Sequence, residues 1–136
     1  MTAILVVQAV ATLSLTGLVW FVQVVHYPLL ARVGEGSLAA YEQEHMRRTT
    51  LLVAPLMLAE AVAATGLLLL EPGALTVLGA LLLVGIWASS FLVQVPCHRV
   101  LADGWNAAAY RRLVRSNWLR TAMWSARSVV ALLLLA

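Results

Sequence analysis

Three histidines and one glutamate form the pattern in this sequence that is best suited to chemistry. His26, His45 and His98 each lie at one end of an apolar stretch, and His45 follows Glu42 by three residues. Residues three apart share a face of a helix, so Glu42 and His45 can point at the same site. Imidazole nitrogens and carboxylate oxygens are ligands for transition metals. The pattern predicts one metal ion bound by the three histidines, with Glu42 or water completing its coordination.

Other chemistries fit the same three histidines. Two imidazoles from different helices can ligate a haem iron, and a single imidazole can act as a general acid or base. The histidines can also be plain interfacial residues, bonded to headgroups and backbone carbonyls. The sequence therefore leaves three states of the site open, namely one copper or iron ion, a haem, or no cofactor. The sole cysteine, Cys97, belongs to no CxxC or nucleophile motif and is expected to pack near the interface.

Four apolar stretches must position these residues. They cover about residues 4–25, 49–70, 74–95 and 119–136, and each approaches the roughly 20 residues that cross a bilayer. The composition agrees, because 62% of the chain is hydrophobic and 11% is charged, whereas soluble domains have about 25% charged residues. The prediction is an all-α fold: one integral membrane domain over residues 1–136, a four-helix transmembrane bundle with up-down-up-down topology.

Turn residues and caps predict where these helices begin and end. The Glu71–Gly73 segment separates the second and third spans, and Gly104 follows the end of the third helix. Ser37 is the predicted N-cap of the second helix, and Asn106 that of the fourth. Both of these helices then begin well before their apolar spans. Helices 2 and 4 are therefore predicted to extend beyond the membrane on the cytoplasmic side.

Arginine placement predicts the orientation of the bundle. The chain has no lysine, and eight arginines lie beside the two connections at one end: Arg32, Arg47, Arg48, Arg99, Arg111, Arg112, Arg115 and Arg120. Because cytoplasmic loops are enriched in basic residues, both termini are predicted to lie in the periplasm of a bacterial inner membrane. No soluble helix carries a basic face, so nucleic acid is not an expected partner. The expected partners are the lipid bilayer and a small lipophilic substrate.

Each span carries a stripe of polar or aromatic residues at helical spacing. The stripes are Gln8, Thr12, Thr16, Gln23 and His26; Glu42, His45, Thr49 and Glu60; Trp87, Phe91, Gln94 and His98; and Asn117, Arg120, Trp124 and Arg127. Polar groups in lipid lack water partners, so these stripes are expected to turn inward. Tyr27 and Tyr41, in contrast, are expected to belong to an aromatic belt at the cytoplasmic boundary. Either tyrosine could also reach the histidine site, but both together are not expected there.

Glu60 and Arg127 are the most deeply placed charges. Each lies about 15 Å from the outer end of its helix, close to the bilayer midplane. An unpaired charge at that depth is costly, so the two are predicted to contact each other directly or through one water. The pair is either a bridge that sets helix register or part of a ligand or proton site.

Four segments carry a family resemblance: His26 to Pro28; Tyr41 to Arg48 with Pro55 to Met57 and Glu60; Gln94 to His98; and Asn117 to Thr121. They resemble a group of uncharacterised bacterial four-helix membrane proteins, which are distantly similar to the anthrone-oxygenase-like family. The resemblance implies oxygenation of a phenolic, polyketide-type substrate without a cofactor. A histidine would then deprotonate the substrate, and Arg120 would stabilise the resulting anion.

These observations together predict a membrane-embedded, oxygenase-like oxidoreductase that acts on a small lipophilic molecule. The resemblance implies that this molecule is phenolic. The predicted catalytic residues are His26, His45, His98 and Arg120. The predicted substrate-binding residues are Asn117, Trp87, Phe91, Trp124, Glu60 and Arg127. Two other classes remain as hypotheses: a small transporter or proton-coupled carrier that uses the midplane pair, and a non-catalytic haem- or metal-binding membrane subunit.

Overall fold

The protein consists of four long helices and contains no strand, in a computed structural model that describes residues 1–136. The helices are α1 (Thr2–Leu30), α2 (Glu35–Leu70), α3 (Ala74–Ala102) and α4 (Ala107–Leu135). Each is long and apolar enough to cross a membrane, with mean hydropathies of 2.0, 2.0, 2.1 and 1.2 in chain order. The predicted all-α four-helix fold is confirmed. The lower value of α4 reflects its arginines.

Besides Pro55 in α2, two prolines lie inside helices rather than at their ends. The predicted spans stop before Pro28 and after Val95, but α1 and α3 continue through Pro28 and Pro96. A π-helical turn precedes each proline, and the residue before the proline donates its N–H to the carbonyl five residues back: Tyr27 to Val22, and Val95 to Ser90. Proline clashes with the carbonyl four residues back in a regular helix, and the wider turn relieves that clash.

The helix ends follow the sequence in two places and differ in one. Asn106 caps α4 as predicted, since its Oδ1 accepts a hydrogen bond from the Ala109 N–H at 2.9 Å. Gly104 adopts a positive φ of 137° just after α3 ends. The prediction of Ser37 as the N-cap of α2 is wrong, because the helix begins at Glu35 and extended Gly34 takes the cap position.

The helices contact one another along their whole lengths. Contacts between α1 and α2 run in reverse order: a Cβ on Gly66 would lie 3.8 Å from Ile4, the Thr12 hydroxyl donates to Glu60, and the His26 and His45 rings stack. Helix α4 packs against both α1 and α3. Large apolar side chains such as Val62, Leu69 and Leu92 are exposed on the outer surface, as expected of helices that face lipid.

The predicted inward stripes are confirmed with one exception. Buried polar side chains come from every helix, among them Gln8, Glu42, Gln94 and Asn117. Phe91 is 56% exposed, so the expectation that it faces inward is wrong. Phe91 lies within the π-helical turn Ser90–Gln94, which disrupts the regular helical spacing on which that expectation rested.

Candidate functional site

The site lies at the end of the bundle that contains the α1–α2 and α3–α4 connections. We use the name histidine cluster for His26, Tyr27, Glu42, His45 and His98. The π-helical turn of α1 ends at His26, and α2 contributes Glu42 and His45 from the part that precedes its apolar span. His98 follows Pro96 in α3. Three helices thus bring these side chains together.

The imidazole rings form a contiguous group. The His26 and His45 rings stack with centroids 4.1 Å apart and planes 15° apart, and the His45 and His98 centroids are 5.4 Å apart. The Thr49 hydroxyl lies 3.3 Å from Nδ1 of His45 and holds that ring from within α2. The three histidines were predicted to lie at one end of the bundle, and the structure places their rings side by side.

Three of these residues have the geometry of a metal-binding group. One potential ligand atom from each of His26, Glu42 and His45 lies within 4.8 Å of the other two. Ligands that share a metal at bond lengths of about 2.1 Å are at most about 4.2 Å apart. The stacked His26 and His45 rings would therefore have to rotate before both could direct a nitrogen lone pair at one ion. Nε2 of His26 and Oε1 of Glu42 are buried and have no hydrogen-bond partner. Buried polar atoms without partners are rare, and here two of them belong to one group.

His98 lies one hydrogen bond outside this group. Its Nδ1 is 2.8 Å from Oε2 of Glu42, and its Nε2 is 3.3 Å from the Tyr27 hydroxyl. Both ring nitrogens of His98 therefore contact protein groups, whereas the sequence placed His98 among the ligands. In this position the imidazole orients the Glu42 carboxylate and leaves its other oxygen free.

Tyr27 belongs to the site and not to the aromatic belt. Its side chain is 1% exposed, and its hydroxyl donates to Oε1 of Gln94 at 2.9 Å. Nε2 of Gln94 donates in turn to Ser116 and to the Leu113 carbonyl, which fixes the amide orientation. Neighbouring residues in a regular helix point in different directions. The π-helical turn before Pro28 departs from that regular geometry, and Tyr27 therefore reaches the same site as His26.

Tyr41 also adjoins the histidine cluster, from its more exposed side. Its ring lies almost parallel to those of His26 and His45, with centroids 6.2 Å and 6.5 Å away. Tyr41 is 41% exposed, so it retains an interfacial position. The expectation that the two tyrosines do not both reach the site is wrong, because both rings adjoin the histidines.

A second set of predicted residues joins the histidine cluster to deeper layers. Nδ2 of Asn117 donates to Oε1 of Gln23 at 2.8 Å, and Nη1 of Arg120 donates to Oδ1 of Asn117 at 3.0 Å. The Arg120 guanidinium also stacks over the Trp124 ring at 5.0 Å. Nε of Arg120 is buried without a partner. Arg120 and Asn117 therefore lie between the imidazoles and the bundle midplane.

The predicted contact between Glu60 and Arg127 is confirmed. Nε of Arg127 donates to Oε1 of Glu60 at 2.6 Å, and both side chains are fully buried. Oε1 also accepts from the Thr12 hydroxyl at 2.8 Å, and Oε2 accepts from Nε1 of Trp124 at 3.3 Å. Nη1 of Arg127 donates to the Gly79 carbonyl of α3. These five residues, which we name the midplane network, join all four helices.

Gly79 is the member of the midplane network that sequence reasoning missed. A Cβ at this position would lie 3.4 Å from Nη1 of Arg127 and 3.5 Å from Val130. The absence of a side chain therefore lets Arg127 reach the backbone of α3. No periodic pattern signals this contact, because the partner is a carbonyl and not a side chain.

The two aromatic residues predicted on α3 occupy different environments. Trp87 is half-buried, and its indole nitrogen is buried without a partner. Phe91 contacts Trp87 edge-on at 5.6 Å from the outer surface of the bundle. Cys97 is buried against Tyr27 and neighbouring leucines, in agreement with the packing role expected of it.

The stacked imidazoles do not fit a haem. Two histidines that ligate one haem iron approach the porphyrin from opposite faces, whereas His26 and His45 lie face to face with no space for a macrocycle. His26, Glu42 and His45 instead offer the donor types of a single transition-metal site.

Comparison with known proteins provides no functional assignment for the chain. No protein-family model, curated protein or solved structure matches the chain.

Proposed function

We propose that this protein is a membrane-embedded oxidoreductase that binds one transition-metal ion through His26, Glu42 and His45 and acts on a small lipophilic molecule. The observation that carries the proposal is the group of three ligand atoms within 4.8 Å of one another. Two of the three side chains contribute buried atoms without partners. A metal ion would provide the missing partner for both.

The donor set favours iron among the transition metals. Two histidines and one carboxylate with open positions are the ligands of non-haem Fe(II) oxygenases, whereas Cu(I) sites prefer sulfur. The same donor set also suits a catalytic zinc ion. Iron supports oxidation of the substrate with dioxygen as the oxidant, and zinc supports hydrolysis. The identity of the metal therefore decides between two reaction classes.

The surroundings of the cluster support a lipophilic substrate. The four helices expose apolar side chains to the outside, and the cluster lies inside the bundle near its end. Arg120 and Asn117 lie on the inner side of the cluster, and the buried Nε of Arg120 is free to bind a substrate oxygen. A phenolic molecule has both the apolar ring and the oxygen that such surroundings would accept. Phenolic substrates are also what the family resemblance implies.

The cellular location belongs to the same proposal. Eight of the nine arginines lie toward the end of the bundle that contains the histidine cluster. This end would therefore face the cytoplasm of a bacterial inner membrane, with both termini in the periplasm. A reporter fused after Ala136 should be active only if the reporter requires the periplasm. Activity of a cytoplasmic reporter at that position would reverse the orientation.

Elemental analysis of the purified protein tests the metal. We expect about one iron or copper ion per chain, and we expect E42Q to lose it, since an amide is a weaker ligand than a carboxylate. The matched control is E44Q, the same substitution two residues away at an exposed glutamate that pairs with Arg47 and Arg48. Zinc in place of iron would refute the oxidoreductase assignment. Equal metal content in wild type and E42Q would refute the site.

A metal-free reaction is the second candidate, and one contact favours it. The Glu42 carboxylate and His98 Nδ1 form a 2.8 Å pair, and a carboxylate in this position orients an imidazole for general base catalysis. A metal-free protein that is active and loses activity in H98A would support this candidate. The same protein with activity unaffected by H98A would exclude it.

A further inference from the structure

A groove lined by arginines lies on the outside of α4, away from the histidine cluster. Its volume is about 370 Å³, and it is lined by Ala108, Arg111, Arg112, Arg115 and Ser116. At 3.6 residues per turn, the three arginines lie within an arc of about 100° on one face of the helix. Ala108 leaves room between them because its side chain is small. The three guanidinium groups therefore border a single concave surface.

The positive charge in this groove has no counter-charge in the protein. The ion pairs of the chain engage Arg47, Arg48, Arg127 and His98, and none engages a groove arginine. All three arginines are exposed, and no acidic residue lies in the first turn of α4. Like charges this close together repel one another. An anion from outside the chain would relieve that repulsion.

The chemistry of the lining predicts which anion. Guanidinium groups bind phosphate through paired, charge-assisted hydrogen bonds. The Ser116 hydroxyl is already committed, since it donates to the Arg112 carbonyl and accepts from Nε2 of Gln94. The contacts to the anion must therefore come from the arginines. We propose that the groove binds a phosphate group, and that an anionic phospholipid supplies it.

The position of the groove along α4 favours a lipid as the source. Trp118 and Leu119 follow the groove and are exposed, and tryptophan is enriched at the level of the headgroups. Arg115 lies about 6 Å along the helix axis from Leu119. A phosphate in the groove would therefore lie at headgroup depth, with its acyl chains along the exposed apolar surface of α4.

The test compares two double variants of the full-length protein in an uncharged detergent. Arg111→Gln/Arg115→Gln removes two arginines from the groove, and Arg47→Gln/Arg48→Gln removes two exposed arginines that already pair with Glu44. Native mass spectrometry measures the binding of phosphatidylglycerol and of zwitterionic phosphatidylcholine to each protein. Inorganic phosphate is added as a competitor in a third series. Circular dichroism verifies that the helices remain intact.

We expect phosphatidylglycerol to bind wild type in preference to phosphatidylcholine. The groove variant should lose roughly 30-fold in affinity, since each arginine near an anionic surface contributes about fivefold. The Arg47/Arg48 variant should lose much less, because Glu44 already neutralises part of its charge. If the groove variant does not purify, the single variants Arg111→Gln and Arg115→Gln should each lose about fivefold.

The remaining outcomes are equally decisive. Displacement of the lipid by inorganic phosphate at low concentration would support the phosphate site. It would overturn the phospholipid as the source, because a soluble phosphate would then fill the groove. Equal losses in the two double variants would overturn the proposal, because total charge and not the groove would then govern binding. Equal binding of the two lipids to wild type would overturn it as well. None of these results depends on metal binding, so they leave the function proposed above untouched.

Discussion

The two buried polar regions of this bundle differ in how completely their hydrogen bonds are satisfied. In the midplane network both oxygens of Glu60 accept hydrogen bonds, and only Nη2 of Arg127 lacks a partner. In the histidine cluster an oxygen of Glu42 and a nitrogen of His26 are both buried and free. Both regions contain a fully buried glutamate. Burial of a glutamate therefore does not distinguish a structural region from a functional one in this protein.

The difference indicates different roles. The Glu60 carboxylate accepts hydrogen bonds from α1 and α4 on both oxygens, and Arg127 extends the network to α3. Such a carboxylate has no free oxygen for a ligand, and the bridge fixes how the helices pack. The Glu42 carboxylate is held by one imidazole through one oxygen, and its other oxygen is buried without a partner in a group with two further imidazoles. A metal-binding carboxylate is arranged in this way. We therefore infer that the midplane network is structural, which disfavours a transporter that uses Glu60 and Arg127.

The largest expected effect comes from breaking the midplane pair on one side. E60L should lower the free energy of unfolding by about 3–5 kcal/mol, because it leaves Arg127 buried without its counter-charge. The double variant E60L/R127L should lose much less, since apolar residues can replace a buried pair. Thermal unfolding in detergent measures both. The double variant should also keep its metal. A double variant that is stable but has lost metal or activity would give Glu60 a functional role.

The converse experiment removes a ligand from the histidine cluster. H45A should lower metal affinity by more than the roughly 10–100-fold that loss of a second-sphere contact produces. Its unfolding temperature without metal should stay close to that of wild type, because His45 is only partly buried. Metal titration of the stripped protein provides the affinity. If H45A unfolds as readily as E60L and binds metal normally, His45 is a structural residue and not a metal ligand.

The role of His98 separates ligands from the residues that orient them. H98A should lower metal affinity by about 10–100-fold, as expected when a metal-binding carboxylate loses its orienting partner. This loss should be smaller than that of H45A in the same titration. A matched variant, Y27F, removes the hydroxyl behind His98 and should have a smaller effect still. Equal losses for H98A and H45A would place His98 among the ligands, as the sequence first indicated.

The smallest expected effect tests how much one neutral donor adds to the midplane network. T12V removes the hydroxyl that donates to Glu60 but nearly preserves the side-chain volume. Oε1 of Glu60 still accepts from Arg127, so the free energy of unfolding should fall by only about 1–2 kcal/mol. Chemical denaturation of T12V beside wild type measures this. A change in metal content, with stability unaffected, would contradict the separation of the two regions.

Much of the architecture follows from local properties of the chain. The lengths of the apolar stretches predicted four helices, Asn106 had the right chemistry for its cap, and helical spacing placed most polar stripes inside. The contact between Glu60 and Arg127 was also predictable, because two charges at equal depth in an apolar medium have few alternatives to pairing. Each of these predictions depends only on spacing along one helix or on depth in the membrane.

The composition of the site could not be obtained in that way. Which two imidazoles meet Glu42, and which one orients it, depends on how far each helix is rotated about its axis. The π-helical turns before Pro28 and Pro96 change that rotation by an amount that regular spacing does not predict. They bring Tyr27 into the site and leave Phe91 outside the bundle. The contact of Arg127 with the Gly79 carbonyl likewise depends on how closely the backbones of α3 and α4 approach each other. Helical spacing determines which face a residue occupies, whereas only the packed bundle determines which atoms meet across helices.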